Sequence, residues 1–353
     1  MPETSSTNNK DITDSSAEFE FGALPPRSPP APDFGGRIRK LAGAIIFVGL
    51  AYTFGWYWLG NELIENTQTT ISNAALNNIA ITCTEAKAKG YPFRIGLSCK
   101  KTGFANQTTG LKFEAGAFRS AAQIYEPLKL IAEIDGPLQL SAANIEPLTV
   151  NWTIARTSIN GIGGLPQRAS VEIELAVLAE LAIPNVQTGS ARLVEFHMRH
   201  GENNQIDLAS NINGVKFKDS PIFSVSSDAA ISGATRFDAA IKSKGKIIEL
   251  MRGNDGEIRN LNLAFADGGS VTISGPFSFS PDGLLSATLG IRAEKAGALI
   301  DNAGKLSAAF GVNMDYLNTL KALAVTDNIT LTVTIKDGNA AIGFIPLGTI
   351  PPL

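Results

Sequence analysis

The 353-residue chain contains only two histidines, two cysteines and four methionines. So little imidazole and thiol leaves almost no material for a metal centre or a thiol–imidazole pair. Charge is scarce as well. Charged residues make up 18% of the chain and the formal net charge is −3, whereas a general nucleic-acid binder is clearly basic. No G-x-S-x-G elbow and no Walker lysine motif occurs. The GIGG run at Gly161 to Gly164 lacks the helix that a phosphate-binding turn requires, so it reads as a loop. No cofactor and no nucleic-acid partner is expected. What is plentiful is apolar content, at 44%, together with 34 glycines and 18 prolines. That combination supports a substantial core in a turn-rich, strand-rich protein.

Residues 1–36 are rich in Ser, Thr, Asn and Pro and end in PPRSPPAPDFGG. They bury too little apolar surface to offset their ordering entropy, so a disordered cytoplasmic tail is expected. The prolines favour polyproline II locally, as a spacer or a docking motif. From Leu41 to Leu59 no residue is charged. This run of about 19 residues is near the ~20 that a helix needs to cross the hydrocarbon core. Arg37, Arg39 and Lys40 precede it, and Trp56, Tyr57 and Trp58 cluster at its far end. The basic flank should stay cytoplasmic and the aromatic rings should sit at the opposite interface. Residues 37–60 therefore read as a transmembrane signal anchor. A buried core helix and a cleaved signal peptide are the alternatives, but the exit WYWLGNELIE has no small-x-small cleavage site.

Residues 61–78 carry weak helical spacing through Leu63 or Ile64, Thr67 and Ile71, a short stalk. Beyond them the period becomes two. Ile79, Ile81 and Cys83 alternate with polar or small residues, as do Phe93, Ile95, Leu97 and Cys99, and Gly90-Tyr91-Pro92 between them suggests a hairpin. Leu148, Val150, Trp152 and Ile154 form one face of a strand, as do Val171, Ile173, Leu175 and Val177. Ile329, Leu331, Val333 and Ile335 repeat the pattern near the end. Strands with one apolar and one polar face belong to antiparallel sheets wet on one side. Two stretches break the alternation: Lys244–Arg252 reads as a short helix and Glu294–Ala324 as one or two helices, with Val312, Tyr316, Leu320 and Leu323 at helical spacing. The fold class is α+β: a mainly antiparallel curved sheet with a few packed helices, preceded by one transmembrane helix.

His197 and His200 lie three apart in the strand-like run LVEFHMRH, which puts their rings on opposite faces. Val194, Phe196 and Met198 form the apolar side, so His197 points to water with Glu195 and Arg199. Cys83 and Cys99 both follow an apolar alternation and should face the same side of adjacent strands. Outside the cytoplasmic membrane a disulfide between them is expected; two separate buried thiols are the alternative.

GYPFRIGLSC at Gly90 to Cys99 and the closing IKDGNAAIGFIPLGTIPPL at Ile335 to Leu353, behind a charged-then-apolar anchor, resemble a bacterial inner-membrane family known as domain of unknown function 2125. That family brings no established catalytic residues. More loosely, the single anchor and units such as DGGSVTISGPFSFSPDGLLSATLGI resemble AsmA-like envelope proteins. This wider resemblance implies a periplasmic sheet over residues 79–353 with an apolar trough, used in lipid transport or envelope maintenance. Trp152, Ile173 and Leu331 are then the candidate groove residues, and lipid acyl chains the implied ligand. A non-enzymatic, inner-membrane, lipid-binding protein is the leading expectation. An assembly module docking another envelope protein through a sheet edge, and an unrecognised hydrolase, are the rivals.

Overall fold

The computed structural model describes residues 34–143, 145–161, 163–180, 187–243, 250–310 and 326–353. Helix α1 runs unbroken over Phe34–Ala75, so the apolar run and the stalk are one helix and residues 34–36 are already helical. It is long and apolar enough to cross a membrane. The chain divides into two units, residues 1–51 and 52–353. Within the second, the described residues form twenty strands of one antiparallel sheet, which among those residues does not close.

The sheet is an up-and-down meander whose first half consists of interrupted strands. β1 (Ile79–Thr84) continues into β2 (Lys87–Lys89), β3 (Arg94–Cys99) into β4 (Lys101–Asn106), and β5 (Leu111–Ala115) into β6 (Phe118–Gln123). β7 (Glu126–Ile134) continues into β8 (Leu138–Ala142), and β9 (Ile145–Asn151) into β10 (Ile154–Asn160). Each pair lies along its sequence neighbours: β4 on β1 and β3 on β2, then β5 on β4 and β6 on β3. The order continues with β7 on β6, β8 on β5, β9 on β8 and β10 on β7. Long β11 (Arg168–Glu180) then pairs with both β10 and β9.

The interruptions form a seam across six consecutive positions. They fall at Glu85-Ala86, Lys100, Gly116-Ala117, Asp135-Gly136-Pro137, Trp152-Thr153 and Leu175. Backbone bonds stitch the seam strand to strand: Lys100 N–H donates to Thr84 O at 2.8 Å, Gly116 to Asp135 O at 3.0 Å and Thr153 to Glu174 O at 3.0 Å. Two expectations are corrected here. Trp152 does not continue one strand face, because β9 stops at Asn151 and β10 starts at Ile154. Leu175 has φ 51° and is exposed; Leu178, not Val177, pairs with apolar Val150. The hairpin around Gly90-Tyr91-Pro92 is present, but between β2 and β3.

From β11 the meander runs on without a seam through β12 (Gln187–His200), β13 (Gln205–Phe217), β14 (Phe223–Ser232), β15 (Asp255–Phe265), β16 (Ser270–Phe279), β17 (Leu285–Glu294), β18 (Asn328–Lys336), β19 (Asn339–Ile342) and β20 (Ile345–Thr349). Helix α2 (Ala234–Lys242), which the alternation does not announce, buries Phe237 against Ile206, Met198, Leu208 and Ile231. Helix α3 (Ala296–Ala309) lies within the Glu294–Ala324 segment expected to be helical. Its Leu299 packs on Gly269, where a Cβ would stand 2.5 Å from the Leu299 nitrogen. Val312, Tyr316, Leu320, Leu323, residues 244–249 and residues 1–33 of the tail lie outside the described residues. Among the described residues no large side chain is fully buried.

Candidate functional site

Residues directly opposite each other in an antiparallel ladder project from the same face. The registers therefore trace rows across the sheet. One runs Ala155–Ile173–Val194–Ile212–Val225–Leu263–Val271–Ala293–Ile329, apolar at every step through nine strands. Two residues along each strand the same face carries a mixed row, Thr157–Val171–Phe196–Ser210–Ser227–Leu261–Ile273. Two residues further an apolar row, beginning at β3, reads Ile95–Ala122–Leu130–Ile159–Ala169–Met198–Leu208–Ala229–Ile258–Gly275. Ten strands about 4.8 Å apart give this row a length of roughly 43 Å. The opposite face carries a polar row, Arg156–Glu172–Glu195–Asn211–Ser226–Asn262–Thr272–Arg292–Thr330.

The described residues cover the apolar face only in part. Phe237 of α2 lies over Met198 and Leu208, and a second buried cluster joins Ala287, Val333 and Ile335 to Leu331, Phe277 and Ile291. Ile173, Val194, Ile212, Val225, Leu263 and Val271 belong to neither cluster and stay half-exposed. At the first strands the same face meets α1. Leu63, Thr67 and Ile71, spaced one helical turn apart, line an apolar cavity of about 430 Å³ with Ile81, Cys83, Leu97, Cys99 and Phe118. The Cys83–Cys99 disulfide, with Cα atoms 5.1 Å apart, closes its floor. Its two cysteines face the same side of neighbouring strands, on either side of the seam.

The three candidate groove residues are not equivalent. Ile173 sits near one end of the nine-strand row, between Ala155 and Val194, outside both clusters. Leu331 projects from the same face, opposite Ile291, but packs into the second buried cluster. Trp152 stands on the seam, its indole N–H donating to Ile134 O at 2.9 Å, beside the Arg119–Asp135 ion pair. The longer rows escape a reading strand by strand, because they exist only once the register is known.

The polar face is held by charge. Asp207 accepts from Arg199 Nε at 3.0 Å and from Arg259 Nη2 at 2.7 Å, and Arg259 Nη1 reaches Asp228 at 3.1 Å. Arg259 is the extra residue of a bulge between β14 and β15, which aims its guanidinium across β14 to Asp207 on β13. Burial alone raises the Asp207 pKa, but the two arginines outweigh it and hold the carboxyl below its ordinary value. A depressed folded-state pKa contributes stability above the ordinary carboxylate range, and that contribution is lost as the pH falls through the folded value. Asp207→Asn is expected to cost about 1–3 kcal/mol near neutrality. In urea titrations the gap between variant and wild type should narrow below about pH 4.

His197 Nδ1 lies 3.0 Å from Ser170 Oγ on this polar face, in open solvent, while His200 falls opposite Ile206 on the other face. Solvent competes there for any developing charge, which an acyl-transfer site must prevent.

A long apolar helix leading into an unclosed meander, greasy on one face and salt-bridged on the other, defines a helix-tethered β-sheet protein with an open apolar surface. A family model described as an uncharacterised protein conserved in bacteria (DUF2125) matches residues 56–351, and the chain belongs to that family. No curated protein and no solved structure matches it.

Proposed function

We propose that the protein is anchored in the bacterial inner membrane by α1, exposes residues 61–353 to the periplasm, and shelters lipid acyl chains on its apolar face, as AsmA-like envelope proteins do, without catalysing a reaction. The observation that carries this reading is the uncovered row through Ile173, Ile212 and Leu263. A globule would cover such a row with its own helices. Here two rows of the face are apolar across nine and ten strands, broken between them only by Thr157, Ser210 and Ser227, and among the described residues the row through Ile173 is half-exposed. Exposed apolar surface of this extent marks a binding site. The Cys83–Cys99 bond fits an oxidising compartment, and the Arg37, Arg39, Lys40 flank fits a cytoplasmic start. Mass spectrometry of the detergent-purified full chain should find phospholipid bound in defined stoichiometry; a lipid-free, folded protein would reject the reading.

Topology is a separate expectation. Fusions after residue 70 should give alkaline-phosphatase activity and no cytoplasmic fluorescence, and the reverse pattern would sink the orientation. The rival reading, docking of another envelope protein, has its own observation. Among the described residues β20 pairs with β19 alone, all five of its residues are exposed, and the adjoining Phe344 is fully exposed. An unpaired apolar edge recruits strands. A stoichiometric protein in place of lipid in the same preparation would favour it.

A further inference from the structure

Two hairpin tips at one end of the meander are more apolar than their position in a soluble sheet warrants. In the β2–β3 turn Tyr91 is 49% and Phe93 69% exposed; at the β6–β7 turn Tyr125 is 72% and Leu128 58% exposed. A backbone bond from Ile124 N–H to Phe93 O, 3.1 Å, joins the tips. The first tip is bound to α1 inside its apolar run. Tyr52 OH donates to Pro92 O, Thr53 Oγ1 and Tyr91 OH are 2.9 Å apart, and Trp56 Nε1 donates to Arg94 O at 2.8 Å. Trp56 and Tyr57 also meet the Tyr91 ring.

These contacts fix a depth. Tyr52 lies seven residues before Leu59, the end of the uncharged run, or about 10 Å at 1.5 Å per residue. If α1 spans a bilayer, the tip reaches the level where headgroups meet acyl chains, the level that Tyr and Trp rings favour. Lys89 and Arg94 flank it as cations for phosphate groups. The ten-strand apolar row starts beside the tips: Ile95 is the second residue after Phe93, and Leu130 the second after Leu128.

We propose that the tips Tyr91–Phe93 and Tyr125–Leu128 are embedded in the periplasmic leaflet of the membrane that α1 spans, and open the apolar face to acyl chains there. This rests on the reading of α1 as an anchor and of the face as an acyl site. The occupant is the lipid surface itself, because hydrogen bonds tie the patch to the helix that sets its depth.

The test uses the full chain in vesicles of phosphatidylethanolamine and phosphatidylglycerol. A polarity-sensitive fluorophore is attached at Tyr125→Cys or, as control, at Thr332→Cys on the exposed polar face of β18. Nitroxide-bearing lipid should quench the first label several-fold more than the second, and aqueous iodide the reverse. Equal iodide quenching at both sites, in protein that resists alkaline extraction from the vesicles, would overturn the proposal. Release by alkaline extraction would instead overturn the anchor, and the proposal with it. As a second arm, Phe93→Glu combined with Tyr125→Glu should lower bound lipid several-fold at unchanged Tm. Unchanged lipid in that variant would overturn the port, whereas a lipid-free wild type would overturn the acyl site beneath it.

Discussion

Ile173→Asp is expected to strip bound lipid from the protein while leaving it folded. Ile173 lies between Ala155 and Val194 in the uncovered row, outside both buried clusters. In the lipid-free protein its side chain already meets water, so an aspartate there keeps most of its hydration and costs little stability. With an acyl chain in place the same carboxylate must be desolvated, at a penalty of several kcal/mol. A chain of about 14 carbons gains on the order of 10 kcal/mol before ordering costs, at ~0.8 per buried methylene. Each ~1.4 kcal/mol lost is tenfold in occupancy, so copurifying lipid should fall well beyond tenfold. Leu331→Asp is the contrast. Leu331 is packed against Val333, Ala287 and Ile335, so the charge there should destabilise the sheet itself. A folded Ile173→Asp protein that retains its lipid would remove Ile173 from the site.

How much of this was legible in the sequence follows from what alternation encodes. Period two states which residues share a face, and it places Ile173 and Leu331 on an apolar side. It is silent on which strands adjoin, so the rows through Ile212 and Leu263 emerge only with the register. It also carried a signal that a strand-by-strand reading passes over. The apolar phase slips at the seam, from odd-numbered Cys99 to even-numbered Phe104 on the β3–β4 path, and from Ile173 to Leu178 on β11. Such a slip is the trace of an interrupted strand, since side chains otherwise change face. At Trp152 the run LTVNWTIA contains no glycine or proline, and the break is imposed by its neighbours, Asp135-Gly136-Pro137 on one side and Leu175 on the other. Helix α2 was hidden for a different reason. Its nine residues bury only Ala234 and Phe237, too few to print a helical period.

Loss of the disulfide should be the largest single effect on stability. Cys83 and Cys99 are 16 residues apart, and a loop of that size gives roughly 3 kcal/mol in the chain-entropy model. For a sheet of this size ~1 kcal/mol moves Tm by about 2–4 °C, so Cys99→Ser should lower Tm by about 6–12 °C under oxidising conditions. The location argues against a smaller effect. The bond joins one side of the seam to the other, beneath the cavity that Leu63, Thr67 and Ile71 share with Phe118. Cys99 is only 3% exposed, so the serine hydroxyl would also enter an apolar setting. Leu97 of that cavity stands two residues from Ile95, where the ten-strand apolar row begins, so under the proposed function the variant should lose bound lipid along with its stability. Cys83→Ser, at a half-buried position, should show the loss of the covalent link alone, and Cys99→Ser and the double variant should lower Tm by somewhat more. Calorimetry of the full chain in detergent gives the comparison, and two free thiols in protein kept oxidised throughout would refute the bond.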